Sequence, residues 1–136
     1  MRCGIDIVQV KRIRRAVERS GQRFLERVFT PAELDICQGS MQRLAGRFAA
    51  KEAVSKALGT GFWSQGVRLQ DLEILSNESG EPQLHLHGGA FARFQEMQVT
   101  DLSLSISHEE DYAVAVCVLN AAHQDCVAEI GPVSNE

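Results

Sequence analysis

Leu102-Ser103-Leu104-Ser105-Ile106-Ser107-His108 alternates apolar and polar residues without a break. A period of two marks a strand with one buried face and does not fit a helix. The acids Glu109-Glu110-Asp111 supply a tight turn, and Tyr112-Ala113-Val114-Ala115-Val116-Cys117-Val118 returns as a second strand. This predicts an antiparallel hairpin, so a sheet must form one layer of the fold.

The other layer is helical. Residues 41–58 are rich in Ala and Leu and stop before Gly59-Thr60-Gly61, which predicts one long helix with a glycine end. Ahead of it, Thr30-Pro31-Ala32-Glu33 places an N-cap, a first-turn proline and a capping-box glutamate in order, opening a short helix that ends near Gly39. Residues 10–28 return apolar side chains at Val10, Ile13, Val17, Phe24, Leu25 and Val28, as a helix broken at Ser20-Gly21 would. Residues 2–9 alternate as a strand. Residues 72–75 and 83–87, around Asn77-Glu78-Ser79-Gly80, predict a second hairpin, and a helix follows at about 89–97. The expected class is α+β, a single domain with an antiparallel sheet packed on a long central helix.

A chain of 136 residues with 24% charged side chains and a net charge of −4 fits one soluble domain and disfavours bulk attraction to nucleic acid. No apolar run approaches the roughly 18 residues of a membrane span. Asp6 stands where a signal peptide needs its apolar stretch, so a cytoplasmic protein with no membrane association is expected. Cys3, Cys37, Cys117 and Cys126 form no C-x-x-C pair and are read as reduced thiols, with Cys3 and Cys117 as small core residues. The domain is expected over residues 1–119, with 120–136 a loosely ordered tail.

Several charges break the pattern. Asp6 lies between Ile5 and Ile7 in a strand, where a carboxylate either sits at a water-facing edge or serves chemistry. Glu52 and Lys56 continue an i, i+4 stripe begun by Leu44 and Phe48, either as an exposed pair or as part of a site. Arg43, Arg47 and Lys51 form a separate basic stripe. His108 ends a strand beside three acids, while His85 and His87 lack a third partner and are read as structural. Between Lys11 and Arg27 lie seven basic and two acidic residues, a charge of +5; the remaining seven basic and sixteen acidic residues give −9. Arg12, Arg15, Arg19 and Arg23 follow helical steps, and segregation this strong points to an anionic partner.

Asp6 and Glu52 are hard oxygen donors of the kind Mg²⁺ takes in ones and twos, leaving waters and substrate phosphates to complete its shell. A lysine beside them can neutralise phosphate or move a proton. Gly59-Thr60-Gly61 lets backbone approach a ligand but is too short for a P-loop. The set suits transfer of a phosphate-linked group by positioning and charge neutralisation.

Five blocks appear in order: Gly4-Ile5-Asp6-Ile7-Val8; Phe24-Leu25-Glu26-Arg27-Val28-Phe29-Thr30 with Glu33; Gly46-Arg47-Phe48-Ala49-Ala50-Lys51-Glu52-Ala53; Lys56-Ala57-Leu58-Gly59-Thr60-Gly61; and Ser105-Ile106-Ser107-His108. Over about residues 1–119 the chain closely resembles the holo-[acyl-carrier-protein] synthases, the small class of 4′-phosphopantetheinyl transferases. The resemblance implies that fold and a cytoplasmic homotrimer with active sites between subunits. It implies transfer of the phosphopantetheine arm of coenzyme A to a serine of apo acyl-carrier protein, releasing adenosine 3′,5′-bisphosphate, as in fatty acid biosynthesis. Asp6 and Glu52 would hold Mg²⁺ and Lys56 would serve the leaving group, making Asp6, Glu52 and Lys56 the catalytic set. Glu52, acting through a water, is the first choice for the base. Arg47, Lys51, Gly59, Thr60, Gly61 and His108 would line the coenzyme A site. Arg12 and Arg14, then Arg19 and Arg23, would dock the acidic carrier. The alternative is a non-catalytic module that grips an acidic partner through the Arg-rich helix, with Glu52 and Lys56 a surface pair.

Overall fold

The computed structural model describes residues 1–59 and 66–122. Their order is β1 (Arg2–Gln9), α1 (Val10–Ser20), α2 (Gln22–Val28), α3 (Pro31–Cys37), α4 (Met41–Leu58), β2 (Leu72–Ser76), β3 (Pro82–Leu86), α5 (Gly88–Met97), β4 (Val99–His108) and β5 (Tyr112–Ala121). A 3₁₀ turn, Leu69–Asp71, precedes β2. Thr60 and Gly61, and the tail from 123 onward with Cys126, lie outside the described residues.

Local signals set most boundaries. Thr30 accepts from the Glu33 amide while the Glu33 side chain accepts from the Thr30 amide, so the capping box closes as expected. The break between α1 and α2 falls at Gly21, whose φ is +51°. Helix α4 ends at Gly59 in the left-handed region, where the glycine amide reaches back to Lys56 O. Strand β4 begins at Val99, before the regular alternation, and β5 continues to Ala121, so Asn120 and Ala121 belong to the sheet.

Antiparallel strands form a three-stranded sheet in the order β1-β5-β4 and a two-stranded sheet, β2-β3. Helix α4 lies across one face of the larger sheet and touches β1, β5 and β4. Small residues make that approach possible. Ala113, Ala115 and Cys117 of β5 are buried, as are Ala45, Ala49, Ala50, Ala53 and Ala57 of α4. A Cβ on Gly4 would stand 2.0 Å from Ala53 O and 2.7 Å from Ala57 N, so only glycine lets β1 lie this close to the helix.

Register assigns the faces of the sheet. Asp6 is opposite Ala115, which is opposite Ile106, so these share the α4 side. Ile5 is opposite Val116, which is opposite Ser105, so these share the other side. In β1, therefore, Gly4, Asp6 and Val8 face the helix while Cys3, Ile5 and Ile7 face out. Cys3 is exposed, which corrects its expected place in the core; Cys117, on the α4 side, is buried. Burial, with Cys3 adding to it, pushes the Cys117 thiol up to about 12.

Candidate active site

Strand β1 and the second half of α4 bring together the charges that the sequence kept 46 residues apart. Lys56 Nζ lies 3.1 Å from Asp6 Oδ1 and donates to Ile5 O at 3.0 Å. The ion pair is thus Lys56 with Asp6, reached across the fold. Glu52, one turn earlier on α4, feels both groups. Burial raises its carboxyl above the usual range, the charge of Asp6 raises it further, and Lys56 and Arg12 pull it back. Arg12 stands 5.5 Å from the centre of the Phe48 ring, which places α1 against the same stretch of α4.

Two half-buried carboxylates beside a lysine are chemically a partial metal site. Among the described residues, no three His, Cys, Asp or Glu side chains cluster to make a protein-only metal cage. Asp6 and Glu52 fit Mg²⁺, which is commonly held by one or two carboxylates and by oxygens of a phosphate ligand. The repulsion that lifts Glu52 is what a divalent cation between the two carboxylates would relieve.

The basic stripe of α4 points elsewhere. Lys51 is 0% exposed. Its Nζ lies 2.7 Å from Glu33 Oε1 and donates to Leu69 O at 2.9 Å. Glu33 is equally buried and accepts from the Ile74 amide at 2.9 Å. Burial pushes the Lys51 ammonium below its ordinary pKa, and Glu33 pulls it back. This corrects the expectation that Lys51 contacts a phosphate of coenzyme A. It is spent inside, joining α4 to α3, β2 and the 3₁₀ turn. Arg47 is nearly buried and donates to Ile74 O at 3.0 Å and Ser76 Oγ at 3.2 Å.

Arg47 still borders a cleft of about 400 Å³ whose walls include Arg43, Ser76, Pro82, Ile106 and His108. His108 therefore lines a second basic cleft. It sits on β4, with β5 between it and β1, so the strand backbones that carry His108 and Asp6 are about 10 Å apart. The chain holds two half-sites, the carboxylates with Lys56 in one and His108 with Arg43 and Arg47 in the other.

The arginines expected to dock a carrier separate in a similar way. Arg12, Arg15 and Arg19 line one groove of α1 with Gln9 and Ala16. Arg14 faces the β4–β5 turn beside Glu110, Asp111 and Tyr112, as a two-residue offset from Arg12 dictates. Arg23 is exposed on α2, beyond the Gly21 break, so the four-arginine stripe is not one continuous helix face. His87 Nε2 lies 3.2 Å from Glu73 Oε1, in keeping with its structural reading.

Sequence reasoning missed Arg2 and Glu33 as partners of α4. Glu33 carried a signal for its capping role but none for its buried ion pair with Lys51.

Similarity to known proteins accords with this geometry. The profile of the 4′-phosphopantetheinyl transferase superfamily matches residues 2–117. Holo-[acyl-carrier-protein] synthase of Solidesulfovibrio magneticus is 52% identical over 117 residues, 85% of this chain and 94% of that protein. The synthase of Halorhodospira halophila is 50% identical over 119 residues, with the same coverage. Among solved structures, Helicobacter pylori holo-[acyl-carrier-protein] synthase in complex with coenzyme A has a TM-score of 0.79 at 36% identity, covering 87% of this chain and 99% of that one. The Neisseria meningitidis synthase has a TM-score of 0.80 at 37% identity, covering 88% and 97%.

Proposed function

The chain belongs to the holo-[acyl-carrier-protein] synthase family of 4′-phosphopantetheinyl transferases, and we propose that it moves the phosphopantetheine arm of coenzyme A onto a serine of apo acyl-carrier protein in a Mg²⁺-dependent reaction. The observation that carries this reading is the convergence of Asp6 and Lys56, 3.1 Å apart, on Glu52. Bound between Asp6 and Glu52, Mg²⁺ would supply charge to the coenzyme A diphosphate. The serine oxygen attacks the phosphorus that bears the pantetheine arm. The bond from that phosphorus to the bridging oxygen breaks, and adenosine 3′,5′-bisphosphate departs with the electron pair. Glu52 takes the serine proton through a water. Lys56 faces the departing oxygen and offsets its charge.

The chain supplies the remaining contacts from its second half-site. His108, with Arg47 and Arg43 in the same cleft, holds the nucleotide end of coenzyme A. In a homotrimer, the His108 cleft of one subunit completes the site whose carboxylates lie on its neighbour. The outward face of β1-β5-β4 supports that assembly: Ile5, Ile7 and Val116 are 62%, 64% and 38% exposed. An apolar face of this kind in a soluble protein marks an interface. The carrier docks on Arg12 and Arg19, with Arg14 and Arg23 flanking. Its acidic surface meets the +5 segment and steers encounter in a salt-dependent way. We read the chain as cytoplasmic and serving fatty acid biosynthesis, with the transferase domain expected over residues 1–119 carried on to Ala121 by β5. No helix among the described residues is long and apolar enough to cross a membrane.

The test is the intact mass of apo acyl-carrier protein after incubation with this protein, coenzyme A and Mg²⁺, beside an EDTA arm. A gain of one phosphopantetheine that EDTA abolishes is expected. No gain across several carriers, with carrier binding intact, would leave only an acidic-partner module.

A further inference from the structure

Arg2, the first residue of β1, shares the α4-facing side of that strand with Gly4 and Asp6. Its Nε donates to Ala57 O at 2.7 Å, across 55 residues of sequence. Its Nη2 lies where a Cβ on Gly59 would come within 2.5 Å, so the tip of the guanidinium sits against the glycine that ends α4. Its Nη1 is buried with no hydrogen-bond partner among the described residues. The guanidinium thus holds the helix end, where a cation also meets the negative pole of the helix.

Three of the four inward residues of β1 thus meet α4 in succession. Arg2 holds Ala57 and Gly59, Gly4 lies against Ala53 and Ala57, and Asp6 meets Lys56. Lys56 is in the last turn of α4, whose carbonyls have no following turn to bond them. That turn is where a helix frays first. It is also where the ammonium must keep its distance from Asp6 and Glu52.

We propose that Arg2 is a positioning residue for transfer: by clamping the final turn of α4 to β1 it fixes Lys56 against the carboxylates. The clamp rests on the transferase reading for its consequence, but its structural half can be read without activity. The carrier-docking groove at Arg12 and Arg19 is on α1 and does not depend on it.

Three variants of the full chain test this. Arg2→Met keeps length and loses the donor; Arg2→Lys keeps charge and one donor; Met97→Ala opens the buried core at α5, away from the site. Hydrogen exchange is read at the amides of Leu58 and Gly59, and kcat and KM are read with apo carrier protein. Arg2→Met is expected to speed exchange at those amides at least tenfold and to lower kcat about tenfold, with KM for the carrier within twofold. Arg2→Lys should recover kcat to within threefold of the parent. Met97→Ala should leave kcat unchanged, although it lowers the melting temperature. Unchanged exchange in Arg2→Met overturns the clamp. Faster exchange with unchanged kcat overturns the positioning role. A loss of kcat in Met97→Ala equal to that in Arg2→Met also overturns it, because general loosening would then explain both. If the parent transfers nothing while exchange responds as described, the clamp stands and the transferase reading fails.

Discussion

Glu52 is raised by burial and by Asp6, and this has a thermodynamic sign. A carboxyl whose folded pKa lies above its ordinary 4.5 binds its proton more tightly folded than unfolded. Its contribution to stability is therefore greatest at low pH and declines as pH rises from about 4.5 through the raised value. Glu52→Gln removes that cost. Its melting temperature should match the parent near pH 4 and exceed it by roughly 1–4 °C at pH 7; a Gln variant that melts lower at pH 7 would contradict the assignment. Gly4 gives a second prediction of opposite sign. Gly4→Ala puts a methyl group against backbone atoms that cannot rotate away, and should cost about 1–3 kcal/mol in a denaturant melt. Asp6, Glu52 and Lys56 were legible because a carboxylate in an apolar strand and a charged end to an apolar stripe are local anomalies. Lys51 was not. It is the same residue type, five positions from Lys56, and what separates their roles is a partner on α3.

Helix α4 shows how an element can be read correctly and its surfaces misread. Its bounds, Met41–Leu58, follow from composition and from Gly59. Its basic stripe is Arg43, Arg47 and Lys51, of which the resemblance implied Arg47 and Lys51 as contacts to coenzyme A. In the fold, α4 is buried on nearly every side, and that stripe turns inward from exposed Arg43 to fully buried Lys51. The Lys51–Glu33 pair is what makes this tolerable, because Lys51 also donates to Leu69 O and Glu33 also accepts from the Thr30 and Ile74 amides. Lys51→Met should destabilise by about 3–5 kcal/mol, since it leaves Glu33 in the interior without its cation. Adding Glu33→Leu should recover much of that loss. A Lys51→Met melt equal to the parent would mean the pair is not buried in solution. Strand β1 carries a related lesson. Alternation gave the strand but not which face turns inward, and the helix took Gly4 and Val8 while Ile5 and Ile7 stayed outside.

At the scale of the molecule, that outward face and the two half-sites belong to one argument. A single chain leaves Ile5, Ile7 and Val116 in water and keeps His108 on the far side of β5 from β1. The proposed three-fold assembly would cover the first and join the second. Sedimentation should give about 45 kDa, three times the chain mass of 15.0 kDa. Ile5→Glu with Ile7→Glu should give folded monomers that transfer nothing; active monomers would contradict shared sites. Such an assembly was not readable from residue patterns. The resemblance supplied it, and the exposed apolar face now gives it a physical reason. The central claim is that Asp6, Glu52 and Lys56 carry out transfer, and the single-turnover rate of Glu52→Gln, measured by carrier mass at pH 7 with Mg²⁺ and coenzyme A saturating, tests it most directly. The account predicts a fall of at least about 100-fold in a protein that melts no lower than the parent; a rate within threefold of the parent would contradict it.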